Sequence, residues 1–193
     1  MGAGLLLLAL LSTAEAGPAS VFDEDRLGVE LGGRASLGQS YWVDTAAGPS
    51  FGVELRLRFG PHLSLGFTLE TGTTKVSEIE HPWTLQRKQL GFDVQWRFET
   101  GPSIRPWVSL GMGFGTADLS YDDLAFRSSA HTLDFARLGV GVDFLVWRYF
   151  AIGPYVRGSL GHTNLQSADD LPGADTGRSL DSLEVGVRVL FGL

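Results

Sequence analysis

The sequence predicts an all-β chain whose eight strands form an antiparallel up-and-down β-barrel. Apolar residues recur at every second position in eight separate runs, which is the period of a strand with two different faces. The connections between the runs alternate between short and long, as in a meander of hairpins. No helical period of useful length follows the first sixteen residues. At 193 residues, the chain can form one domain with a substantial core.

The first element is a cleavable signal peptide, predicted over residues 1–16. Its sequence, MGAGLLLLALLSTAEA, carries an apolar block at residues 5–11 and then Ala14-Glu15-Ala16, the small-x-small form of an export cleavage site. The block is too short to span a bilayer, and no later stretch has the roughly 18 apolar residues of a membrane helix. The alternative is a buried N-terminal helix. We expect the mature domain to cover residues 17–193 and to be exported.

The eight strands are predicted from the alternating runs in chain order. They cover residues 27–37, 51–59, 63–69, 90–98, 106–114, 136–144, 150–160 and 183–193. Compact connections at 60–62, 99–105 and 145–149 alternate with long polar connections at about 38–50, 72–89, 115–135 and 161–182. All four long loops therefore fall at one end of the barrel.

The two faces of these strands differ in composition, which decides what each face contacts. Alternation alone fits a soluble barrel with an apolar interior or a membrane barrel with an apolar exterior. The apolar face of the runs carries no charge, as lipid demands, since Arg or Lys costs roughly 2–4 kcal/mol at the bilayer midplane. The other face mixes charges with glycine, which weakens a strand unless something approaches its backbone closely. This favours a narrow polar lumen inside a transmembrane barrel.

The predicted lumen holds a network of acids and arginines. Buried charges need partners, and a guanidinium contacts a carboxylate at two points, which accounts for all but two of the 15 cations being arginine. The network members are Glu30, Arg34, Glu54, Arg56, Arg58, Glu70, Asp93, Arg97, Arg137, Asp143, Arg157, Glu184 and Arg188. The expected pairs are Arg34 with Glu54 and Glu184, and Glu30 with Arg58 and Arg188. So many ionisable groups in an eight-stranded lumen favour a closed polar core over a narrow, gated ion path.

The length of the strands and the position of the aromatic residues fit a bilayer. Ten residues tilted by about 40° rise roughly 25 Å, the height of the apolar band of such barrels. Aromatic residues gather at the ends of the runs, as in interfacial girdles. They are Phe59, Phe98, Trp107, Phe144, Trp147, Tyr149, Phe150 and Phe191 near the short turns, and Tyr41, Trp42, Phe51, Trp83 and Phe114 near the long loops.

Together these features resemble the bacterial outer-membrane β-barrel family, in particular its small OmpA-like transmembrane domain. The resemblance is carried by the export signal, the eight hairpin-linked strands, the segments RPWVSLGMGF at 105–114 and LGVGVDF at 138–144, and the C-terminal strand. It implies a Gram-negative outer membrane, with the short turns and both termini in the periplasm, and outer-membrane lipids and the barrel-insertion machinery as partners. In that family the last strand is the insertion signal, typically with a terminal aromatic residue. Here Phe191 and Leu193 fill that role.

Few residues suggest site chemistry. The net charge of -7 and the pI near 5.0 argue against nucleic-acid binding. Glu78-Ile-Glu80-His81 offers one histidine and two acids in a loop, which is more typical of solvated surface than of a metal site. Asp169, Asp170 and Asp175 lack the spacing of a known metal-binding loop, so no metal and no cofactor is expected. The histidines His62, His81, His131 and His162 all lie in predicted turns, loops or strand mouths. The glycines of 111–115 alternate along a strand and serve lumen packing rather than phosphate binding.

Three function hypotheses follow. We favour a non-enzymatic structural or surface-interaction protein that meets an unknown extracellular ligand through its four long loops. The alternative is a small gated pore for ions or small solutes. The third is a lipid-modifying enzyme, since some eight-stranded barrels are lipid A deacylases with a His/Ser/acid group. In this chain the serine expected after His162 is Asn164, and the apolar face has no carboxylate to orient the base.

Overall fold

Eight antiparallel strands form a closed barrel in the computed structural model, which describes residues 27–40, 46–76, 83–98, 103–121, 127–165 and 180–192. Each strand pairs with its neighbours in the sequence, and the last pairs with the first. The strands are β1 (Leu27–Ser40), β2 (Gly48–Phe59), β3 (Leu63–Val76), β4 (Trp83–Arg97), β5 (Ile104–Tyr121), β6 (Arg127–Trp147), β7 (Phe150–Leu165) and β8 (Leu180–Gly192). The predicted fold class is confirmed. Over the described ranges, no helix has the length and hydropathy to cross a membrane.

Several sequence predictions fall outside the described residues. The signal peptide at 1–16 and the final residue Leu193 are among them. So are the loop groups considered for metal binding, which are Glu78, Glu80, His81, Asp169, Asp170 and Asp175. The signal peptide and the roles of these residues stay predictions.

β8 closes the barrel against β1 along most of its length. Phe191 lies opposite Leu31 and Glu184 opposite Gly38, with the intervening residues in unbroken antiparallel register. Both strands therefore satisfy their backbone groups on both sides, and neither is an exposed edge. The Phe191 ring contacts Phe150 of β7, with the ring centroids 5.0 Å apart.

Two of the four predicted long loops, at 72–89 and 115–135, are mostly strand, and the strands also extend into the other two, so the predicted extents are wrong. β3 and β4 stay paired until Val76 lies opposite Trp83, and β5 and β6 until Ser120 lies opposite Arg127. The connections shrink to 41–47, 77–82 and 122–126, and only 166–179 stays long. The apolar alternation ends where the strands leave the lipid, because both faces then meet polar surroundings. Backbone pairing continues there in a Thr-rich sequence with high β propensity.

A β-bulge in β6 resets the alternation that the sequence pattern relied on. Gly111 lies opposite Arg137 and Gly113 opposite Asp134, so β6 has one residue more than β5 between these pairs. Phe135 is exposed, whereas Asp134 and Arg137 both point into the barrel. The bulge therefore adds Asp134 to the lumen and explains why the predicted run could begin only at Ala136.

Apolar side chains cover the outside of the barrel, and charged side chains fill the inside. Leu110 is 58% exposed and Trp147 is 77% exposed, whereas Arg56 is fully buried. A soluble barrel would carry the reverse arrangement, so the polar interior and apolar belt exclude that alternative. One girdle prediction is wrong, because Trp107 is 3% exposed and faces the lumen. Its position in β5 alternates with the outward-facing Val108, which places the indole inside.

Candidate functional site

All the charged residues predicted for the lumen lie inside the barrel. They are buried except Glu70 and Asp93, whose residues are partly exposed although their side chains are only 6% and 13% accessible. They come from every strand except β5, because antiparallel alternation brings every second residue of a strand to the same cavity.

Glu70 on β3 is the most shared carboxylate of the network. Its oxygens accept hydrogen bonds from Arg157 at 2.6 and 2.7 Å and from Arg137 at 2.8 Å. Arg34 approaches the same carboxylate at 3.7 Å, and Arg157 also pairs with Glu184. One negative charge thus links guanidinium groups from β1, β6 and β7 inside the lumen.

A second carboxylate, Asp134, extends the network toward the end of the barrel that carries the long connection. Arg87 on β4 pairs with it at 3.3 Å, and Arg137 approaches it at 3.7 Å. Gln89 also donates a hydrogen bond to Asp134. Arg137 therefore bridges Glu70 and Asp134.

The opposite side of Glu70 connects to Arg56, which is completely buried. Its guanidinium donates to Asp93 at 2.8 Å, and its Nε lies 3.4 Å from Glu54. Glu54 in turn pairs with Arg34. Arg34 and Arg56 thus extend one chain of ion pairs from Asp93 through Glu54 to Glu70.

Arg188 organises the end of the lumen near the short turns. It donates to Asp143 at 2.8 Å and to Gln95 at 2.8 Å, and its guanidinium lies 3.9 Å from the centre of the Trp107 ring. The Trp107 indole donates to Asp143 at 3.2 Å. The indole thus provides both a cation–π partner and a hydrogen bond within one cluster.

Arg34 pairs with Glu54 as expected, whereas Glu30 and Glu184 have partners other than the expected ones. Glu30 pairs with Arg97 of β4, whose guanidinium donates at 2.7 Å, and Glu184 pairs with Arg157 of β7. Expecting partners on adjacent strands was too narrow for Glu30, because a long arginine side chain reaches across the lumen and pairs with a strand three positions away.

Sequence reasoning missed several lumen residues. Arg87 and Gln89 precede the predicted start of the fourth strand, and continuing the alternation back from Leu90 would have placed both inside. Asp134 was hidden by the bulge, and Arg105 lay in a predicted turn although it is buried. Trp107 was assigned by residue type, although its position in the alternation pointed inward.

Glycine makes room for these side chains at defined positions. A Cβ on Gly66 would lie 2.9 Å from both carboxylate oxygens of Asp93 and 3.1 Å from the Arg56 guanidinium carbon. A cavity lined by Arg34, Trp107 and other lumen side chains has room for only about one water molecule. A second cavity at the mouth has room for only about two or three.

The other candidate residues do not form a reactive site within the described ranges. His62 is held at a short turn, where its Nδ1 lies 3.1 Å from the Arg97 carbonyl oxygen and its ring stacks on Trp96 with centroids 5.3 Å apart. His131 and His162 are exposed on the outer wall. The described residues contain no group of three or more His, Cys, Asp or Glu able to hold a metal ion. Residues 111–115 lie within β5, as the lumen-packing interpretation predicts.

Solved structures with similar folds are bacterial outer-membrane and surface proteins. Neisserial surface protein A aligns with a TM-score of 0.58 at 14% identity, over 86% of this chain and 96% of that one. The attachment invasion locus protein of Yersinia pestis, solved with the heparin analogue sucrose octasulfate, aligns with a TM-score of 0.54 at 13% identity, over 86% and 97%. The outer membrane protein OprG of Pseudomonas aeruginosa gives 0.53 at 11% identity, over 89% and 98%.

Comparison at the sequence level identifies the family. No curated protein matches this sequence. Residues 3–191 match the family described as "Outer membrane protein beta-barrel domain". This match covers nearly the whole chain and agrees with the closed barrel, the apolar exterior and the charged lumen. The chain therefore belongs to the outer-membrane β-barrel family.

Proposed function

We propose that this protein is a closed barrel that acts at the outer surface of the cell, through the end that carries the long connection, without enzymatic or transport activity. The observation that carries the proposal is the chain of ion pairs from Asp93 through Arg56, Glu54, Arg34 and Glu70 across the lumen. A lumen occupied in this way supports the barrel rather than conducting solute, which leaves the surface as the place where the protein meets partners.

The energy of the network supports a closed lumen. Withdrawing one partner from a buried, hydrogen-bonded ion pair costs about 3–5 kcal/mol. At that cost, the state in which the path past Glu70 is open would be populated in only about one molecule in a hundred to one in several thousand. A continuous path would also require Asp93 and Glu184 to leave their arginines.

The orientation of the barrel follows from the family pattern of short periplasmic turns and longer external loops. The turns at 60–62 and 148–149 then face the periplasm, together with the N-terminal end of β1 and the C-terminal end of β8. β7 ends and β8 begins at the external side, so the sequence 166–179 between them is the longest stretch available for contact with an extracellular ligand. The exposed Phe191 on β8 supports its proposed part in recognition by the insertion machinery.

Surface labelling tests this placement. Because the sequence has no cysteine, a maleimide reacts with the thiol of a single introduced cysteine and with no native thiol. T73C lies on the outward face near the external end, and R148C lies at a short turn. A large maleimide that cannot cross the outer membrane should label T73C on intact cells and R148C only after permeabilisation. Labelling in the reverse order would overturn the proposal.

The surface role is tested by shortening the 166–179 connection to a brief Gly-Ser turn. Cells expressing the parent and the shortened protein at equal surface levels are compared by sedimentation, which measures cell–cell association, and by adhesion to coated surfaces. We expect association or adhesion to fall in the shortened variant. Equal behaviour of parent, variant and empty cells in every assay would contradict a surface-interaction role.

A small gated pore is the second candidate, and the sharing of Glu70 favours it. Because Arg34 lies 3.7 Å away while Arg137 and Arg157 are hydrogen-bonded, the carboxylate has an alternative partner within reach. R34Q and R56Q should raise ion flux through vesicles if partner exchange gates a path. Flux that stays at the lipid background in the parent and in both variants would eliminate this candidate.

A further inference from the structure

A small cavity inside the barrel has walls that are mainly cationic. Arg34 of β1, Arg137 of β6 and Arg157 of β7 line it from three strands. Asp93 is the one acid in the described wall, and both of its carboxylate oxygens accept hydrogen bonds from Arg56. The cavity is therefore bounded by three guanidinium groups, and the charge of its single carboxylate is offset by a fourth.

The neutral residues of the wall enclose the cavity and keep it open. Tyr155 is buried, and the guanidinium carbons of Arg34 and Arg157 lie 5.4 and 6.0 Å from the centre of its ring. Ser109 lies opposite Gly139, where a Cβ would come 2.5 Å from the Ser109 hydroxyl oxygen. Glycine at this position therefore leaves space beside a hydroxyl group that can donate a hydrogen bond.

Arg34 has a buried N–H group without an acceptor. One of its terminal nitrogens pairs with Glu54, and the other lies 3.7 Å from Glu70. Its Nε has no hydrogen-bond partner within the described chain, although the side chain is only 5% accessible. Buried N–H groups are costly unless they are hydrogen-bonded, so an acceptor is expected beside Arg34.

The charge around the cavity is positive on a larger scale as well. Over the described lumen, buried arginines outnumber buried acids, although the full sequence carries a net charge of -7. Arg188 lies 3.9 Å from the centre of the Trp107 ring, and that ring forms part of the cavity wall. Because charges interact strongly in a low dielectric, such an interior favours a negative ion over a neutral molecule.

The size of the cavity selects the ligand. It has room for about one water molecule, which suits a monatomic anion and excludes sulfate, phosphate and carboxylates. Chloride is only slightly larger than water, and it accepts hydrogen bonds from several directions at once. A water molecule would bring two more O–H donors to a wall that already consists largely of donors.

We propose that this cavity binds a chloride ion. The guanidinium groups of Arg34, Arg137 and Arg157 provide the charge, and the Arg34 Nε donates a hydrogen bond to the ion. The Ser109 hydroxyl group donates a second hydrogen bond. The ion is thus a counterion shared by three strands, and it stabilises the barrel. Its retention until the barrel unfolds rests on the closed lumen proposed above, whereas the binding site does not.

The dependence of stability on chloride tests the site. The parent protein is refolded into lipid vesicles in mixtures of sodium chloride and sodium gluconate at constant ionic strength, so that screening does not change. Above the dissociation constant, each tenfold rise in chloride should raise the ratio of folded to unfolded protein about tenfold, because the ion binds only the folded barrel. Bromide should replace chloride, whereas sulfate should not.

Two serine variants separate the cavity from general effects of salt. S109T keeps the hydroxyl group and adds a methyl group to the cavity wall, so it should lose the chloride dependence whatever its own stability. S50T is the matched control, because it adds the same methyl group to a serine that lines the cavity at the mouth. S50T should show the same chloride dependence as the parent.

A count of released ions tests retention. Protein refolded in chloride is desalted into gluconate and then unfolded, and ion chromatography should find about one chloride per barrel for the parent and almost none for S109T. Stability that does not depend on chloride in the parent, or equal dependence in the parent and S109T, would overturn the inference. Chloride-dependent stability without retained chloride would support the site and contradict the closed lumen, so the two failures are distinguishable.

Discussion

Replacing Glu70 by glutamine should destabilise the barrel by about 3–5 kcal/mol, the cost of removing one partner from a buried ion pair. The side chains of Glu70, Arg137 and Arg157 are only 5–8% accessible, so the much smaller value for a surface pair does not apply. Glutamine keeps the shape but offers one acceptor, and its amide NH2 faces a guanidinium. Because Arg157 retains Glu184, the loss should lie near 3 kcal/mol.

The measurement is urea unfolding of the parent and of E70Q, both refolded into lipid vesicles and followed by tryptophan fluorescence. D118N is the matched control, because it neutralises a partly exposed acid on the outer wall and should cost less than about 1 kcal/mol. An E70Q free energy of unfolding within about 1 kcal/mol of the parent would refute the reasoning that Glu70 holds the lumen together.

A double-mutant cycle separates the pair from its surroundings. E70Q/R157M removes the carboxylate together with one of the cations that it neutralises, so the remaining charges are closer to balance. We expect this double variant to be more stable than the sum of the two single losses predicts, with a coupling of about 1.5 kcal/mol or more. Additive losses would show that Glu70 and Arg157 do not act as a pair.

Three further predictions concern other parts of the barrel. L110R places a charge on the lipid-facing wall and should cost about 2–4 kcal/mol in the same unfolding assay, with L110A as the size control. W107F keeps the ring beside Arg188 but loses the 3.2 Å hydrogen bond to Asp143, so it should cost about 1–3 kcal/mol. G66L places a side chain against the Asp93 carboxylate and should reduce the yield of folded barrel on gels of unboiled samples. G60A is the control, because no atom lies within 4 Å of a Cβ at that turn position, and it should reduce the folded yield less despite the positive φ of 70°.

The fold was predictable from the sequence because lipid imposes a strict rule. In a lipid bilayer the sheet must close so that every backbone N–H and C=O group is hydrogen-bonded, and its outer face must be apolar. Apolar residues therefore recur at every second position along each strand. The inward direction of Arg56 and the outward direction of Leu110 follow directly from that period. The seam between β1 and β8 was predictable for the same reason, since no strand may remain an edge in lipid.

The parts that could not be predicted are those where this rule no longer applies. Beyond Phe114 the strands leave the lipid, so the apolar alternation gives no signal that β5 and β6 remain paired as far as Ser120 and Arg127. At Phe135 the bulge shifts the period by one and hides Asp134. The pairing of Glu30 with Arg97 depends on the shear of the closed barrel and on side-chain reach across it, neither of which one strand's sequence contains.

Current through a planar bilayer tests the central claim, a lumen closed by its own ion pairs, most directly. The purified parent is inserted at high salt and recorded beside E70Q, and insertion is verified independently by protease protection. We predict no stable current steps from the parent, and rare, brief openings at most from E70Q, in which the centre of the network is loosened. Reproducible, long-lived conductance steps from the parent protein would contradict the account.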